Sequence, residues 1–270
     1  MKATVTPEWV RSRIGSKKLV LLDARSRGAY HSSHIPGARH ADLFHYFVPG
    51  TNARGLALFH KDLARVLGRL GINGTETIVV YESGFGMRAA RIAWMLEYSG
   101  ARHVSMLEGG VRAWRRLHYP MNNREVQTVP VTFQVEPNSS LLATAEQILD
   151  LPKKAMVLDV RSRGEYDGTE KRDCCKRAGR IPKAIWHEWT EFLAPNGRFL
   201  KRRYFVKAFP DLTNRTRPIV TYCHRGARAA STFYALRSLG FTNVRNYVGS
   251  WHEWSSRPNL PLETGSGAKP

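Results

Sequence analysis

The stretch Tyr222-Cys223-His224-Arg225-Gly226-Ala227-Arg228 holds the residues best suited to covalent chemistry. A cysteine thiolate is a strong nucleophile, and its surroundings decide whether it forms. An apolar run, Ile219–Cys223, leads into the loop, and Ala229, Phe233, Leu236 and Gly240 follow at helical spacing. A turn from a buried strand into a helix points successive backbone N–H groups at one place, where negative charge is stabilised. Arg225 and Arg228 add positive charge beside Cys223, which favours the thiolate. Gly226 allows the curvature such a cradle needs. A cysteine that only fills a core has no use for two arginines and a glycine in its loop. His224 is a candidate acid or base.

The elements that must position this loop occur twice. Leu19-Val20-Leu21-Leu22-Asp23-Ala24-Arg25-Ser26-Arg27-Gly28 returns in Ala155-Met156-Val157-Leu158-Asp159-Val160-Arg161-Ser162-Arg163-Gly164. Ile35-Pro36 returns as Ile181-Pro182, Ile78-Val79-Val80-Tyr81 as Ile219-Val220-Thr221-Tyr222, and Trp114 as Trp254. Asp23 recurs 136 residues on and Ile35 recurs 146 residues on, so the second copy carries a ten-residue insertion, which contains Cys174 and Cys175. Repetition on this scale means two copies of one domain. A length of 270 residues suits two domains of about 130 each. The boundaries read as 1–124, a linker over 125–138 that holds Pro130 and Pro137, and 139–270.

Each copy alternates strand and helix signals, the pattern of an α/β domain with a parallel sheet. Strands are expected at Leu19–Ala24, Thr77–Tyr81, Val157–Val160 and Ile219–Cys223. Thr6 before Pro7 reads as a helix N-cap, and Thr144 with Gln147 as a capping box. Asp23 with Arg25, and Asp159 with Arg161, read as ion pairs at strand ends.

Composition narrows the function classes. Lys and Arg number 42 against 22 Asp and Glu, a formal charge of +20 that attracts anions. The cations are spread along the chain without a basic tail or aromatic-basic motif, so no specific nucleic acid partner is expected. No window reaches the roughly 18 apolar residues of a membrane span, and Met1-Lys2-Ala3-Thr4-Val5-Thr6 has no secretory core. Three cysteines cannot make a disulfide framework, and fit reduced thiols. Cys174 and Cys175 are adjacent with no histidine pair near them in sequence, so neither a metal nor a cofactor is expected. They read as exposed incidental thiols or as a redox pair.

The Cys223 loop resembles the active-site loop of the rhodaneses, in which a cysteine opens a six-residue cradle that closes on the next helix. The Asp-x-Arg strand ends, the Ile-Pro-x-Ala steps at Ile35 and Ile181, and Trp114 and Trp254 are similar to rhodanese signatures too. The resemblance covers nearly the whole chain, twice, and is to the two-domain thiosulfate and 3-mercaptopyruvate sulfurtransferases. It implies an inactive N-terminal domain covering an active C-terminal one. It further implies that Cys223 carries sulfane sulfur as a persulfide, held by His224, Arg225, Gly226, Ala227 and Arg228, with Arg172 at a substrate-binding position. The substrates implied are a small anionic sulfur donor and a cyanide or thiol acceptor. The cytoplasm is the default compartment, the resemblance adds the mitochondrion as alternative, and the oligomeric state stays open. In the first copy Tyr81 is followed by Glu82-Ser83-Gly84-Phe85-Gly86-Met87-Arg88, which has no thiol.

Within the family, thiosulfate-type members carry basic residues after the cysteine, as His224-Arg225 does here. Mercaptopyruvate-type members carry small polar residues there and bind the substrate carboxylate with two arginines. One of those falls on Arg172 and the other on Glu165, whose charge would repel a carboxylate. Thiosulfate is therefore the expected donor, with mercaptopyruvate the alternative, and a sulfur-carrier or interaction module is the non-enzymatic reading. Rhodanese-fold phosphatases use Cys-x5-Arg, whereas Cys223 and Arg228 enclose four residues, a cradle too small for phosphate.

Overall fold

Runs of β-branched and aliphatic residues with few charges must be covered on both faces, which a parallel sheet between helices achieves. The computed structural model describes residues 3–266 and shows this arrangement in each of two units. The reading of the extreme N-terminus at Met1 and Lys2 lies outside the described residues. One unit takes the chain up to Tyr46, Leu58–Asn138 and Ala194–Arg198, and the other takes Phe47–Ala57, Ser139–Leu193 and the chain from Phe199 onward.

In the first unit, strands β1 (Thr4–Val5), β2 (Leu19–Asp23), β3 (Ala38–His40), β4 (Thr77–Tyr81) and β5 (His103–Leu107) form a parallel sheet in the order β1-β5-β4-β2-β3. Its helices are α1 (Pro7–Arg11), α2 (Arg27–Ser32), α3 (Ala53–Arg69) from Leu58 onward, α4 (Met87–Tyr98) and α5 (Gly110–Arg116). The core gathers Leu21, Ile35, Val79, Tyr81, Val111 and Trp114. The segment after Asn122 has no regular elements and lies along this unit: Val131 donates its N–H to Gly68 O and Asn138 to Tyr98 O.

In the second unit the order is β7 (Ile185–Trp186), β6 (Met156–Asp159), β8 (Ile219–Tyr222) and β9 (Val244–Asn246), again parallel. The helices are α6 (Ala145–Leu149), α7 (Arg163–Asp167), α8 (Arg202–Ala208), α9 (Ala227–Ser238) and α10 (Ser250–Ser256). The Thr6 cap and the Thr144–Gln147 capping box are both formed. One boundary differs usefully from expectation: β8 stops at Tyr222 rather than Cys223. The Cys223 N–H leaves the sheet and donates to Ser250 Oγ at 3.1 Å, while its carbonyl accepts from Trp251 N–H at 3.0 Å. The ladder is thus exchanged for bonds to α10, and Cys223 is free to turn into the loop.

The ion pairs expected at strand ends are present and repeat their surroundings. Arg161 Nε donates to Asp159 Oδ1 at 2.9 Å, and its Nη2 donates to Asp159 Oδ2 and to Gly179 O. Tyr222 Oη donates to Asp159 Oδ2 and accepts the Ile181 N–H at 3.2 Å. Burial, and then the charge of Asp159, hold the Tyr222 phenol well above its ordinary pKa, so it remains a donor. Asp23, Arg25, Tyr81 and Ile35 make the corresponding contacts in the first unit. Asp159 has no exposure and Arg161 has 1%. Asp159→Ala would leave a buried guanidinium without its counter-charge, costing about 3–5 kcal/mol. The expected result is a clearly lowered urea midpoint, and an unchanged midpoint would show that Arg161 finds another partner.

Candidate active site

The candidate loop is held from three sides. From β8 it inherits a fixed starting point, because Tyr222 is fully buried between β6 and the Ile181 turn. From below, Gly226 sits at φ +79°, and a Cβ there would meet Val248 Cγ2 at 2.7 Å and Val248 O at 2.9 Å. Asn246 Nδ2 donates to Gly226 O at 3.2 Å, which completes the close approach. From α10, the His252 N–H donates to His224 O at 3.0 Å beside the Cys223 contacts. Ser250 adopts φ 54°, a left-handed value costly for a residue with a Cβ, and its hydroxyl bridges Cys223 N–H and Tyr247 O. The bridge gives a reason for that strain.

Cys223 is 1% exposed and lies where the N-terminus of α9 opens. Arg225 stacks on Phe47, with its guanidinium carbon 4.4 Å from the ring centroid. Arg228, in the first turn of α9, instead engages Glu165: Nη1 donates to Oε2 at 2.6 Å and Nη2 to Oε1 at 2.9 Å. Arg172 Nε adds a third bond to Glu165 Oε1 at 3.1 Å. The structure therefore brings together Cys223, Arg228, Arg172 and Glu165, and gives the carboxylate a different task from the one its sign suggested. Glu165 caps α7 through Ser162 and fastens two arginines beside the loop.

The electrostatics follow from this geometry. Burial alone would raise the Glu165 pKa, but the hydrogen bonds and charge of Arg228, joined by Arg172, hold it well below the usual carboxylate range. Burial works against the Arg228 charge, yet its hydrogen bonds to Glu165 and that carboxylate's charge raise its pKa. His224 is pushed down to about 3 by burial first and then by Arg172 and Arg225, so its imidazole is neutral at pH 7. A neutral imidazole keeps an N–H on one ring nitrogen and a lone pair on the other, so His224 can donate or accept a hydrogen bond but holds no extra proton to release. This removes the imidazolium from the acid-or-base role expected of His224.

The insertion reaches this loop. Arg177 donates to the carbonyls of Trp254, Ser255, Arg257 and Leu260, while Trp251 Nε1 donates to Arg177 O at 2.9 Å. These bonds staple the insertion to the end of α10. Cys174 Sγ then lies 3.1 Å from His224 Nε2. Cys174 is exposed, but Cys175 is 2% exposed rather than on the surface, because the staple folds it inward against Ile181 and Trp254. Sequence reasoning missed this juxtaposition, and it missed Ser250 and Phe47. For Ser250 a signal existed: its counterpart in the first copy, Gly110, has φ 56°. Fifty residues separate Cys174 from His224, and no motif links them.

The sister loop in the first unit answers the same physical demand differently. Glu82 Oε1 accepts the N–H groups of Arg88 at 3.0 Å and Ala89 at 2.9 Å, so a carboxylate of the chain itself occupies the N-terminus of α4. Burial raises the Glu82 pKa, opposed by those two N–H groups. Arg88, the counterpart of Arg228, pairs with Asp42 at 3.3 Å.

Comparison with known proteins agrees with this duplicated architecture. The rhodanese-like domain profile matches residues 6–117 and 142–257. A thiosulfate sulfurtransferase of Pseudomonas aeruginosa is 32% identical over 267 residues, covering 96% of each chain. A protein of the same organism described as a probable 3-mercaptopyruvate sulfurtransferase is 34% identical over 280 residues, covering 97% of this chain and 98% of its own. Among solved structures, an anaerobic ergothioneine biosynthesis enzyme from Chlorobium limicola, in complex with trimethyl histidine, superposes with a TM-score of 0.87. At 22% identity, covering 98% of this chain and 71% of the other, that likeness concerns the fold alone. The chain belongs to the rhodanese-like family, with the domain present twice. It is a sulfurtransferase, acting between a sulfur donor and a sulfur acceptor. No helix of the described residues is long and apolar enough to cross a membrane.

Two substitutions test the geometry. Gly226→Ala adds a clash with Val248 at a left-handed backbone position, and is expected to cost roughly 1–3 kcal/mol, seen as a lower melting temperature. Glu165→Ala leaves Arg228, whose side chain is 12% exposed, without its counter-charge, an expected loss of about 3 kcal/mol at pH 7. Because the folded-state pKa of Glu165 lies below its unfolded value, near 4.3, this stabilisation is complete above that pH. It fades as pH falls through the folded pKa, so the gap between wild type and Glu165→Ala should narrow below about pH 4. A gap independent of pH would assign the loss to packing.

Proposed function

We propose that the chain transfers sulfane sulfur from thiosulfate to cyanide or a thiol through a persulfide on Cys223. The observation that carries this reading is a buried cysteine at the mouth of α9, followed by Arg225 in the loop and Arg228 in the first turn of the helix. The Cys223 thiolate attacks the outer sulfur of the donor, the S–S bond breaks, and sulfite departs with its electron pair. The new persulfide anion rests among the backbone N–H groups of residues 224 to 228, an arrangement that works as an oxyanion hole does. Cyanide then attacks the outer sulfur, thiocyanate leaves, and the thiolate is restored. Arg225 and Arg228 supply the positive field that draws in the anionic donor.

Glu165 favours thiosulfate over mercaptopyruvate. Recognition of a carboxylate by two arginines would need both free, whereas one position is Glu165 itself and the other, Arg172, is bonded to it. Relatives named for each donor match the chain about equally, so their names leave the choice to the site. Mercaptopyruvate is the second reading: Arg172 Nε serves Glu165, but the side chain is 53% exposed and could swing to a substrate. The first unit has no part in the chemistry on this proposal, because Glu82 fills its cradle and cannot carry sulfur.

Steady-state assays with the two donors side by side decide the question. We expect kcat/KM to be higher for thiosulfate, and thiocyanate production to vanish in Cys223→Ser. A higher value for mercaptopyruvate would overturn the donor assignment. A persulfide that forms on Cys223 without multiple turnover would make the chain a sulfur carrier instead.

A further inference from the structure

Three donor groups that no sequence motif connects meet beside the Cys223 loop. Cys174 Sγ is 3.1 Å from His224 Nε2, and the donor atoms of Cys174, Cys175 and His224 all lie within 4.8 Å of one another. Among the described residues this is the one such group of His, Cys, Asp or Glu donors.

The gathering is held from both sides. Arg177, two residues after Cys175, is bonded to four carbonyls at the end of α10, and Lys171 Nζ donates to Cys175 O at 3.1 Å. His224 is fixed through its own carbonyl by the His252 N–H. Cys175 is buried and Cys174 exposed, so one donor anchors the group and another leaves it open to solvent.

The donor types narrow what could bind. Two thiolates and an imidazole suit soft or borderline cations and not the oxygen-seeking Mg2+ or Ca2+. Three such ligands with a vacant fourth position define one type of zinc centre, and thiolate-rich sets also select monovalent copper. The charges of Arg172, Arg225 and Arg228 reach His224 and penalise an uncompensated cation. Two thiolates remove that penalty, leaving a neutral complex with Zn2+ or a singly negative one with Cu+. We propose that Cys174, Cys175 and His224 bind one soft d10 cation, Zn2+ or Cu+, one residue away from Cys223. Binding displaces the two thiol protons to solvent and involves no change of oxidation state. On the reading of Cys223 given above, a cation on His224 ties the sulfur-carrying loop to the insertion.

The test uses the full chain, reduced and treated with chelator, in a Cys223→Ser background that removes the neighbouring thiol. Zn2+ is titrated against a chromophoric zinc chelator and, anaerobically, Cu+ against a copper(I) chelator. Co2+ serves as a spectroscopic probe of thiolate ligation. The expected result is one equivalent of Zn2+ or Cu+ and a thiolate-to-cobalt charge-transfer band. Cys174→Ser and His224→Asn should each weaken uptake by more than about tenfold, the loss that outer partners of a ligand alone can cause, while melting is unchanged. Absence of the band, with uptake no tighter than in a Cys174→Ser/Cys175→Ser variant, overturns the proposal. So does formation of a Cys174–Cys175 disulfide in place of uptake. None of these readouts involves sulfur transfer, so failure here and failure of the Cys223 persulfide are separately visible.

Discussion

A helix that begins where a buried parallel strand ends leaves its first N–H groups without partners, and something negative has to answer them. Much of this protein is organised around that demand. In the first unit the answer is internal: Glu82 bends its carboxylate onto the N–H groups of Arg88 and Ala89. In the second unit the matching position is Cys223, which leaves β8 by handing its own N–H to Ser250. The same fold thus yields one cradle closed by its own side chain and one that offers a thiol.

Keeping a cradle receptive requires positive charge that does not unfold the site, and Glu165 resolves this. Its carboxylate spreads over Ser162, Arg228 and Arg172, so the two arginines stand beside the loop without facing each other uncompensated. Arg225 is settled differently, on the face of Phe47. One anion and one ring thereby hold three cations near a buried thiol. The arrangement also explains why His224, buried and set among these charges, is a neutral imidazole and not an imidazolium.

The insertion adds a layer that the first copy lacks. Its attachment through Arg177 to four carbonyls is specific, and it delivers Cys174 to the ring of His224. A surplus loop with no structural purpose would not need so many fixed contacts. The duplicated core therefore explains the Cys223 loop, and the ten-residue difference between the copies explains what stands next to it.

The sequence by itself determined the repeat, the parallel α/β units, the Asp159–Arg161 pair and the Cys223 loop, because each depends on local pattern: apolar runs, caps and residues a few positions apart. Strand ends shifted by only a residue, as at Tyr222, where a bond to Ser250 replaced the sheet ladder. Tertiary structure alone decided the work of Glu165, whose sign suggested repulsion until Arg228, 63 positions away, was seen to bind it. It also decided that Cys175 is buried, that Phe47 supports Arg225, and that Cys174 meets His224 across fifty residues. Charge and spacing along a chain say which groups exist; only folding sets the distances at which Coulomb attraction, hydrogen bonding and ligation operate.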